Sequence, residues 1–423
     1  MVWQGRALVV PVRHAVVRVV LVNITGHDHT GVTHALTEIL RGHGARILDI
    51  GQAVIHDALT LGLLVELSAH TPGTELEAEL RHTARGLGMQ VRFTEISDDA
   101  YDAWVRAQSK SRFVVTLLGP SITAAHLTLA SGIVMRHGLN IDRIERLSGR
   151  TPLGAAGDTG RMCIELAVSG ELGDDVHVRS ELAQMTSDLE LDVAFQRDDV
   201  YRRHRRLVAF DMDSTLIQGE VIDELAALAG VGDQVRAITE AAMRGELDFQ
   251  DSFRRRVGLL KGLRADALND VVQRVPLMDG AEVLVSTLRR LGYKTAILSG
   301  GFTFFGESLQ QRLGIDYLHA NTLVIRDGIV TGEVAPPIVD GAGKASRLQE
   351  IARHEGLSLA QVIAVGDGAN DLPMLRIAGL GIAFRAKPIV RANARQAMST
   401  LGLDGILYLL GVRDREHVTP VQA

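Results

Sequence analysis

The 423-residue sequence predicts an α/β protein in which two small ferredoxin-like units precede a larger domain built on a parallel sheet. Three observations support this fold class. An internal repeat spans the N-terminal half, where His43-Gly44 recurs as His137-Gly138 in similar surroundings. From Leu207 onward, apolar strand patterns alternate with longer helical patterns. The length corresponds to about two to four domains.

Composition narrows the class of protein further. Hydrophobic residues make up 46% and charged residues 23%, so each domain can bury a core. The net charge of -6 gives no reason to expect nucleic acid as a partner. A single cysteine, Cys163, excludes an intrachain disulfide, and no run reaches the roughly 18 apolar residues of a membrane span. We therefore expect a cytoplasmic protein without membrane attachment.

Each repeat contains the same order of elements. In the first, a strand over residues 18–22 leads to a helix over about 31–43 and a later strand over 60–67. In the second, the corresponding segments are 113–118, about 123–137 and 162–168. This order is typical of the ferredoxin-like βαββαβ unit. We predict domains over 18–98 and 110–190, after an N-terminal segment 1–17 without an assigned role.

Residues 191–206 are predicted to be a linker. They include four arginines in five positions, ending at Arg206. A solvated linker next to a strand is the favoured interpretation, and a nucleic-acid patch is the alternative. The absence of interleaved aromatic residues argues against that alternative.

The third domain is predicted over 207–412, followed by a tail over 413–423. Its candidate strands are 207–210, 294–298 and 361–365. Between residues 216 and 278 lies a long insert with a mostly helical pattern, which could cover an active site as a lid.

A polar cluster follows each of these three strands, and ligands of open α/β sheets bind at the carboxyl ends of strands. After the first strand come Asp211 and Asp213, two carboxylates suited to a nucleophile and a proton donor. Alone, this spacing is more typical of a turn or a helix cap.

The other two clusters and one lysine suit phosphate and metal binding. Ser299-Gly300-Gly301 offers a hydroxyl and exposed amides for phosphate oxygens. The run from Gly366 to Asp371 offers carboxylates for a hard cation. Lys344 could neutralise phosphate charge. Each feature alone also fits a turn, a solvated loop or a surface residue.

Together, in this order, the four clusters resemble the motifs of the haloacid dehalogenase superfamily of phosphatases. The finer resemblance is to its phosphoserine phosphatase branch, carried by the run from Gln218 to Glu224 and by the pattern from Phe249 to Leu260. The fold implied is a Rossmann-like domain with a helical cap over about 216–278.

The resemblance implies roles for the catalytic and metal-binding residues. Asp211 would attack phosphorus, and Asp213 would act as general acid and base. The cofactor implied is Mg²⁺, held by Asp211, the backbone carbonyl of Asp213 and Asp367, with Asp371 in support.

It also implies roles in substrate binding. The phosphoryl group would contact Ser299, Gly300 and Lys344. Glu220 would bind the ammonium group of the substrate and Arg256 its carboxylate. Further residues of the substrate site would be Asn370, Phe249 and Met243.

The two N-terminal units resemble ACT domains, which sense amino acids. The first carries Gly26-His-Asp-His-Thr-Gly31 at the strand-to-helix turn, so Asp28 and Gly31 are candidate effector-binding residues. The second lacks both at the matching turn. The resemblance implies a homodimer and an amino-acid effector, with L-serine expected.

The function implied is hydrolysis of O-phospho-L-serine to L-serine and phosphate through an aspartyl-phosphate, as the last step of serine biosynthesis. Two alternatives stay open. One is a phosphatase of the same superfamily for another small phosphomonoester or for phosphoproteins. The other is an inactive, amino-acid-sensing regulatory protein.

Overall fold

The computed structural model describes residues 17–68, 73–150, 160–173 and 175–418, and it leaves the side chains of 186–188 and 243 undescribed. Residues 1–16 of the predicted N-terminal segment and 419–423 of the predicted tail therefore lie outside the described residues. The chain divides into two compact units, residues 1–110 and 111–423.

The first unit has the predicted ferredoxin-like order of elements. These are β1 (Val17–His27), α1 (Val32–Gly42), β2 (Arg46–Ile55), β3 (Ala58–Ser68), α2 (Gly73–Gly86), β4 (Met89–Ile96) and α3 (Asp98–Ala107). The four strands form one antiparallel sheet in the order β2-β3-β1-β4. Leu36 of α1 and Leu80 of α2 are fully buried in the core that these helices form with the sheet.

The second unit begins with the same arrangement. Its elements are β5 (Arg112–Gly119), α4 (Ala124–Arg136), β6 (Asn140–Arg146), β7 (Met162–Ser169), α5 (Val176–Asp188) and β8 (Asp192–Arg197). The sheet order β6-β7-β5-β8 matches that of the first unit. The repeat extends to a close approach of backbones, because a Cβ at Gly26 would meet Gly88 O at 3.1 Å and one at Gly119 would meet Glu190 O at 2.9 Å.

The segment 191–206, predicted as a linker, is instead structured. It contains strand β8, which completes the second sheet, and a short helix α6 (Val200–Arg203). The prediction of a solvated arginine run is wrong for Arg202 and Arg205, which are 3% and 5% exposed. Arg202 pairs with the carboxylate of Glu165 on β7, and this buried partner in a distant strand has no signal in the local sequence.

The rest of the second unit is the predicted α/β domain. Its strands are β9 (Leu207–Phe210), β10 (Lys294–Phe302), β11 (Tyr317–Arg326), β12 (Ile329–Ala335), β13 (Val362–Gly366), β14 (Leu380–Phe384) and β15 (Gln396–Met398). They form one sheet in the order β12-β11-β10-β9-β13-β14-β15. Every neighbouring pair is parallel except β11 with β12. Strand β9 lies at the centre.

Helices cover both faces of this sheet. They are α11 (Ala281–Arg290), α12 (Thr303–Leu313), α13 (Gly341–His354), α14 (Leu372–Ile377), α15 (Pro388–Asn393) and α16 (Ile406–Leu409). Alternate residues of β9 point to opposite faces, with Leu207 packing in the core of α13 and α14, and Val208 in the core of α11 and α12.

The insert between β9 and α11 is helical, as expected. It contains α7 (Val221–Leu228), α8 (Gly232–Met243), α9 (Phe249–Gly258) and α10 (Ala267–Arg274). Its two ends are tied together, because Gln218 N–H donates to Pro276 O and Met278 N–H to Leu216 O, both at 2.9 Å. These hydrogen bonds hold the insert next to the carboxyl end of β9, which Asp211 directly follows.

None of the helices in the described part of the chain is long and apolar enough to cross a membrane.

Candidate active site

The site lies at the carboxyl ends of the central strands β9, β10 and β13. Because these strands are parallel neighbours, the polar clusters that follow them converge. Together with the helical insert they border a cavity of about 740 Å³. The predicted residues at its wall are Asp211, Asp213, Glu220, Phe249, Arg256, Gly300, Asp367 and Asn370.

Asp211 is fixed by the sheet and by a lysine. Its N–H donates to Val365 O on β13 at 2.9 Å, which continues the pairing of β9 beyond its last residue. Its Oδ1 accepts from Met212 N–H at 2.7 Å and lies 2.8 Å from Lys344 Nζ. These contacts hold the carboxylate in a defined orientation at the cavity wall.

Asp213 is buried beside Asp211. Its Oδ1 accepts from Val221 N–H, the first residue of α7, at 2.8 Å. A Cβ at residue 301 would collide with Asp213 Oδ2, so only glycine fits there. Burial, followed by the charges of Glu220 and Asp211, raises the pKa of Asp213 well above its ordinary value. The structure therefore favours the protonated form of this carboxyl.

Asp211 also belongs to a cluster of three carboxylates. Carboxylate oxygens of Asp211, Asp367 and Asp371 all lie within 4.8 Å of one another. The buried Lys344 contacts Asp211 and, at 2.6 Å, Asp371 Oδ1. Burial and the charge of Asp211 raise the pKa of Asp367 to about 8 and that of Asp371 to about 7.

This donor set fits a hard divalent cation. Its oxygen ligands are those preferred by such ions, and the raised pKa values show that one lysine does not balance the carboxylates. Burial alone would lower the pKa of Lys344, but the charges of Asp211 and Asp371 raise it above its ordinary value. Lys344 is therefore a fixed cation, and the remaining negative charge makes the cluster a candidate metal site.

The carboxyl end of β10 supplies further polar groups. Gly301 N–H donates to Ser299 Oγ at 2.8 Å. The buried Asn321 of β11 donates to Gly300 O at 2.8 Å and accepts from Val339 N–H at 2.7 Å. These two hydrogen bonds fix the end of β10. A Cβ at Gly300 would meet Phe249 Cζ at 3.0 Å, so glycine allows the insert to approach.

The insert supplies two charged side chains of opposite sign. Glu220 precedes α7 and Arg256 lies near the end of α9, and both border the cavity. Burial, then Asp211, raises the pKa of Glu220, while the charges of Arg256 and Lys387 oppose this shift. Burial lowers the pKa of Arg256. Glu220 and Arg256 therefore place groups of opposite charge at the cavity wall.

The remaining predicted residues differ in what the structure shows. Phe249 borders the cavity and stacks on Phe253, with ring centroids 5.9 Å apart. The side chain of Met243 lies outside the described residues, so its predicted role stays a prediction. Asp28 and Gly31 belong to the first unit, where Gly31 has a φ of 95° and begins α1.

Sequence reasoning assigned no role to several residues around the cavity. Ser252, Asp340, Asn321 and Lys387 border it or hold its wall in place. Only Ser252 had a usable signal, since it precedes Arg256 by four residues and must share its side of the helix. The others act through contacts between elements distant in sequence.

Comparison with protein families agrees with this division. A haloacid dehalogenase-like hydrolase family matches residues 208–376, and ACT domain families match residues 18–94 and 111–196. Among solved structures, a probable phosphoserine phosphatase from Vibrio cholerae in unliganded form is 36% identical, with a TM-score of 0.55. The match covers 73% of this chain and 89% of that one.

Relatives with curated names match nearly the whole length. The phosphoserine phosphatase SerB2 of Mycobacterium tuberculosis is 43% identical over 394 residues, covering 93% of each chain. The phosphoserine phosphatase of Streptomyces coelicolor is 42% identical, covering 94% of this chain and 93% of that one. The cavity with its paired aspartates, the two ACT domains and this similarity over the full architecture place the chain in the phosphoserine phosphatase family of haloacid dehalogenase hydrolases.

Proposed function

We propose that the enzyme hydrolyses O-phospho-L-serine to L-serine and phosphate, as the last step of serine biosynthesis. The observation that carries this proposal is the cavity itself, which brings the Asp211 and Asp213 pair together with the carboxylate of Glu220 and the guanidinium of Arg256. A zwitterionic amino acid needs one contact of each sign. Glu220 would take the ammonium group and Arg256 the carboxylate, for which a planar guanidinium fork is well suited.

In the first step, an oxygen of Asp211 attacks phosphorus and the bond from phosphorus to the serine oxygen breaks. Asp213 gives its proton to that oxygen as serine leaves. Its burial beside Asp211 supports this role because it favours the protonated carboxyl. The product is an aspartyl-phosphate on Asp211 and an ionised Asp213.

In the second step, a water attacks phosphorus and loses a proton to Asp213. The bond from phosphorus to the Asp211 oxygen breaks, which releases phosphate and restores both carboxyl groups. During both steps Ser299, the Gly300 amide and Lys344 would hold the phosphoryl oxygens. Asn370 would orient the site, and Phe249 and Met243 would exclude bulk water.

Mg²⁺ is the proposed cofactor. Asp211, Asp367 and the backbone carbonyl of Asp213 would hold it, with Asp371 in support, and the carboxylate cluster described above fits it. When bound, it supplies positive charge that offsets the negative charge of the phosphate and the carboxylates.

The N-terminal domains are proposed to regulate this chemistry. We propose one ACT domain over 18–98 and a second that extends beyond the predicted 110–190 to include strand β8, before a phosphatase domain over 207–412. L-serine is the proposed effector, bound near Asp28 and Gly31 of the first ACT domain. A homodimer is the proposed assembly.

Phosphate release tests the proposed activity directly. O-phospho-L-serine, O-phospho-L-threonine and an aryl phosphate are compared with Mg²⁺ and with EDTA. We expect a strong preference for phosphoserine that EDTA removes. Equal rates on all substrates would support a broader phosphatase, and no activity on any would support the regulatory alternative.

The effector is tested by the same assay with added L-serine. Asp28→Ala and Gly31→Ala should weaken the response to serine while the rate without serine stays the same. Inhibition or activation that survives both changes would mean that this turn is not the effector site.

A further inference from the structure

Ser252 is a buried hydroxyl at the cavity wall with no hydrogen-bond partner. It lies in α9, it is 1% exposed, and its Oγ contacts no donor or acceptor among the described residues. Arg256 follows one turn later, and its Nε is likewise without a partner there. Because buried polar groups are normally hydrogen-bonded, two unpartnered donors on adjacent turns indicate a missing acceptor.

The backbone of α9 does not explain this hydroxyl. A serine within a helix often donates to the carbonyl four residues earlier, but Asp248 O accepts only the Ser252 backbone N–H, at 3.0 Å. Thr239 of α8 shows the usual alternative. It borders the same cavity, and its hydroxyl donates to Val235 O at 3.0 Å. Ser252 thus borders the cavity, and its hydroxyl has no acceptor among the described residues.

We propose that Ser252 is a specificity-determining residue whose hydroxyl donates a hydrogen bond to the substrate carboxylate, beside Arg256. This inference rests on the proposed function, since it assigns a second contact to the carboxylate of phosphoserine. A carboxylate offers about four acceptor positions, and a guanidinium fork uses two of them. A hydroxyl one turn away can occupy a third.

The position of Ser252 favours the carboxylate over the other groups of the substrate. The proposed phosphoryl donors, Ser299 and Gly300, lie at the carboxyl end of strand β10, and Glu220 directly precedes α7. Ser252 instead shares one face of α9 with Arg256, because residues four apart are neighbours on a helix. The hydroxyl and the guanidinium therefore lie on the same side of the helix.

The test compares three substrates in the full-length Ser252→Ala enzyme with Mg²⁺. O-phospho-L-serine carries both groups, 3-phosphooxypropanoate carries only the carboxylate, and O-phosphoethanolamine carries only the ammonium. We expect kcat/KM to fall roughly tenfold or more for the two substrates that carry a carboxylate and to change less than twofold for O-phosphoethanolamine. An equal fall for all three, or no fall for phosphoserine, would overturn the proposal.

Thermal unfolding without substrate separates binding from a structural role. Ser252→Ala removes an unpartnered buried hydroxyl, so Tm should stay the same or rise. A lower Tm accompanied by equal losses on all substrates would identify a structural serine and overturn the proposal. Thr239→Val is the matched control, and its ratio of kcat/KM between phosphoserine and O-phosphoethanolamine should equal that of the unaltered enzyme.

The unaltered enzyme distinguishes failure of this inference from failure of the proposed function. If it prefers phosphoserine to O-phosphoethanolamine but Ser252→Ala keeps that preference, only the role of Ser252 is wrong. If it shows no such preference, carboxylate recognition fails, and the proposed substrate and the role of Ser252 fall together.

Discussion

At the scale of single residues, the crowding of carboxylates around one lysine determines the chemistry of the site. Asp211, Asp367 and Asp371 share the only ammonium group in their cluster of described residues, Lys344 Nζ. Burial raises the cost of each uncompensated charge. The arrangement is costly for the protein alone, and the positive charge of a bound cation would offset that cost.

This crowding predicts how stability depends on pH. The pKa of Asp367 is about 8 in the folded protein, against about 3.9 for an exposed aspartate. Between these values the folded state retains a proton that the unfolded chain has released, so stability falls as pH rises. In EDTA, Tm should therefore decrease from pH 5 to pH 8. Mg²⁺ should raise Tm more at pH 8, where its ligands ionise more readily.

The variant Asp367→Asn provides the control for this prediction. It removes the titrating group but keeps the shape of the side chain. Its Tm in EDTA should vary less with pH, and its response to Mg²⁺ should be smaller. Parallel curves for the two proteins, measured by scanning fluorimetry, would contradict the assignment to Asp367.

Asp211→Asn is the second prediction at this scale. The amide keeps the size of the carboxylate but is a poor nucleophile, so turnover should fall by at least about a thousandfold. Lys344 keeps its contact with Asp371, and one like charge is removed, so Tm without metal should not fall. Phosphate release and thermal unfolding measure the two effects. Residual turnover above a tenth would contradict a covalent role for Asp211.

At the scale of elements, helix α9 connects the insert to helix α13. Asp248 caps the N-terminus of α9, since its side chain accepts from Asp251 N–H at 2.9 Å. Gln250 Nε2 donates to Asp340 Oδ2 at 2.8 Å. Asp340 also begins α13, the helix of Lys344, because its Oδ1 accepts from Gly343 N–H. One aspartate thus joins the insert to the helix that carries Lys344.

Breaking this contact should loosen the insert. Gln250→Ala removes the only side-chain hydrogen bond found between α9 and the loop before α13 within the described residues. A hydrogen bond to a charged group contributes about 1.5–3 kcal/mol, and partial exposure reduces this. We expect KM for phosphoserine to rise several-fold and Tm to change little. Steady-state kinetics and limited proteolysis of the insert measure the effect.

Gln250→Glu serves as the comparison. Its carboxylate would face Asp340, so repulsion should open the insert further than loss of the contact does. KM should therefore increase in the order unaltered protein, Gln250→Ala, Gln250→Glu. The reverse order for the two variants would mean that this contact does not hold the insert.

The sequence predicts the site best where residues follow a strand directly. Asp211 and Asp367 could be placed together because a buried strand and the rule for parallel sheets determine their position. Asn321 and Asp340 could not. Their contacts form between a loop and elements far apart in the chain, and neither residue type has a pattern that indicates such a partner.

At the scale of the whole molecule, the second ACT domain and the phosphatase domain form one compact unit. Asp192 of β8 accepts from the N–H groups of Ser399 and Thr400, both at 2.7 Å. Gln396 of β15 accepts from Phe195 N–H at 3.1 Å and donates to Phe195 O at 2.6 Å. Side chains thus link the last strand of one sheet to the last strand of the other.

These contacts between the second ACT domain and the phosphatase domain could not be predicted from the sequence. The ferredoxin-like order and the parallel sheet were predictable because each follows from local periodicity. The arginines before Leu207 look like a solvated run for the same reason, since only the partner distinguishes a buried arginine from an exposed one. For Arg202 that partner is Glu165, whose position on β7 is set by the pairing of the second sheet.

The buried pair of Arg202 and Glu165 gives a prediction about cooperativity. Arg202→Met leaves an uncompensated carboxylate and should destabilise the second unit by about 3–5 kcal/mol. Replacing both residues, with Glu165→Leu, should cost less than either single change, since neither charge of the buried pair is left without its partner. Denaturant unfolding of the four proteins measures these free energies.

The pair of Arg202 and Glu165 joins an ACT strand to helix α6, which directly precedes the phosphatase domain. The unfolding transition of the second unit should therefore also remove phosphatase activity. In Arg202→Met, loss of activity and loss of secondary structure in the second unit should move to lower denaturant together. If instead activity persists where the destabilised transition is complete, the two domains unfold independently. A coupled transition would give the second ACT domain a direct effect on the stability of the fold that holds Asp211, which is the physical requirement for regulation from that side.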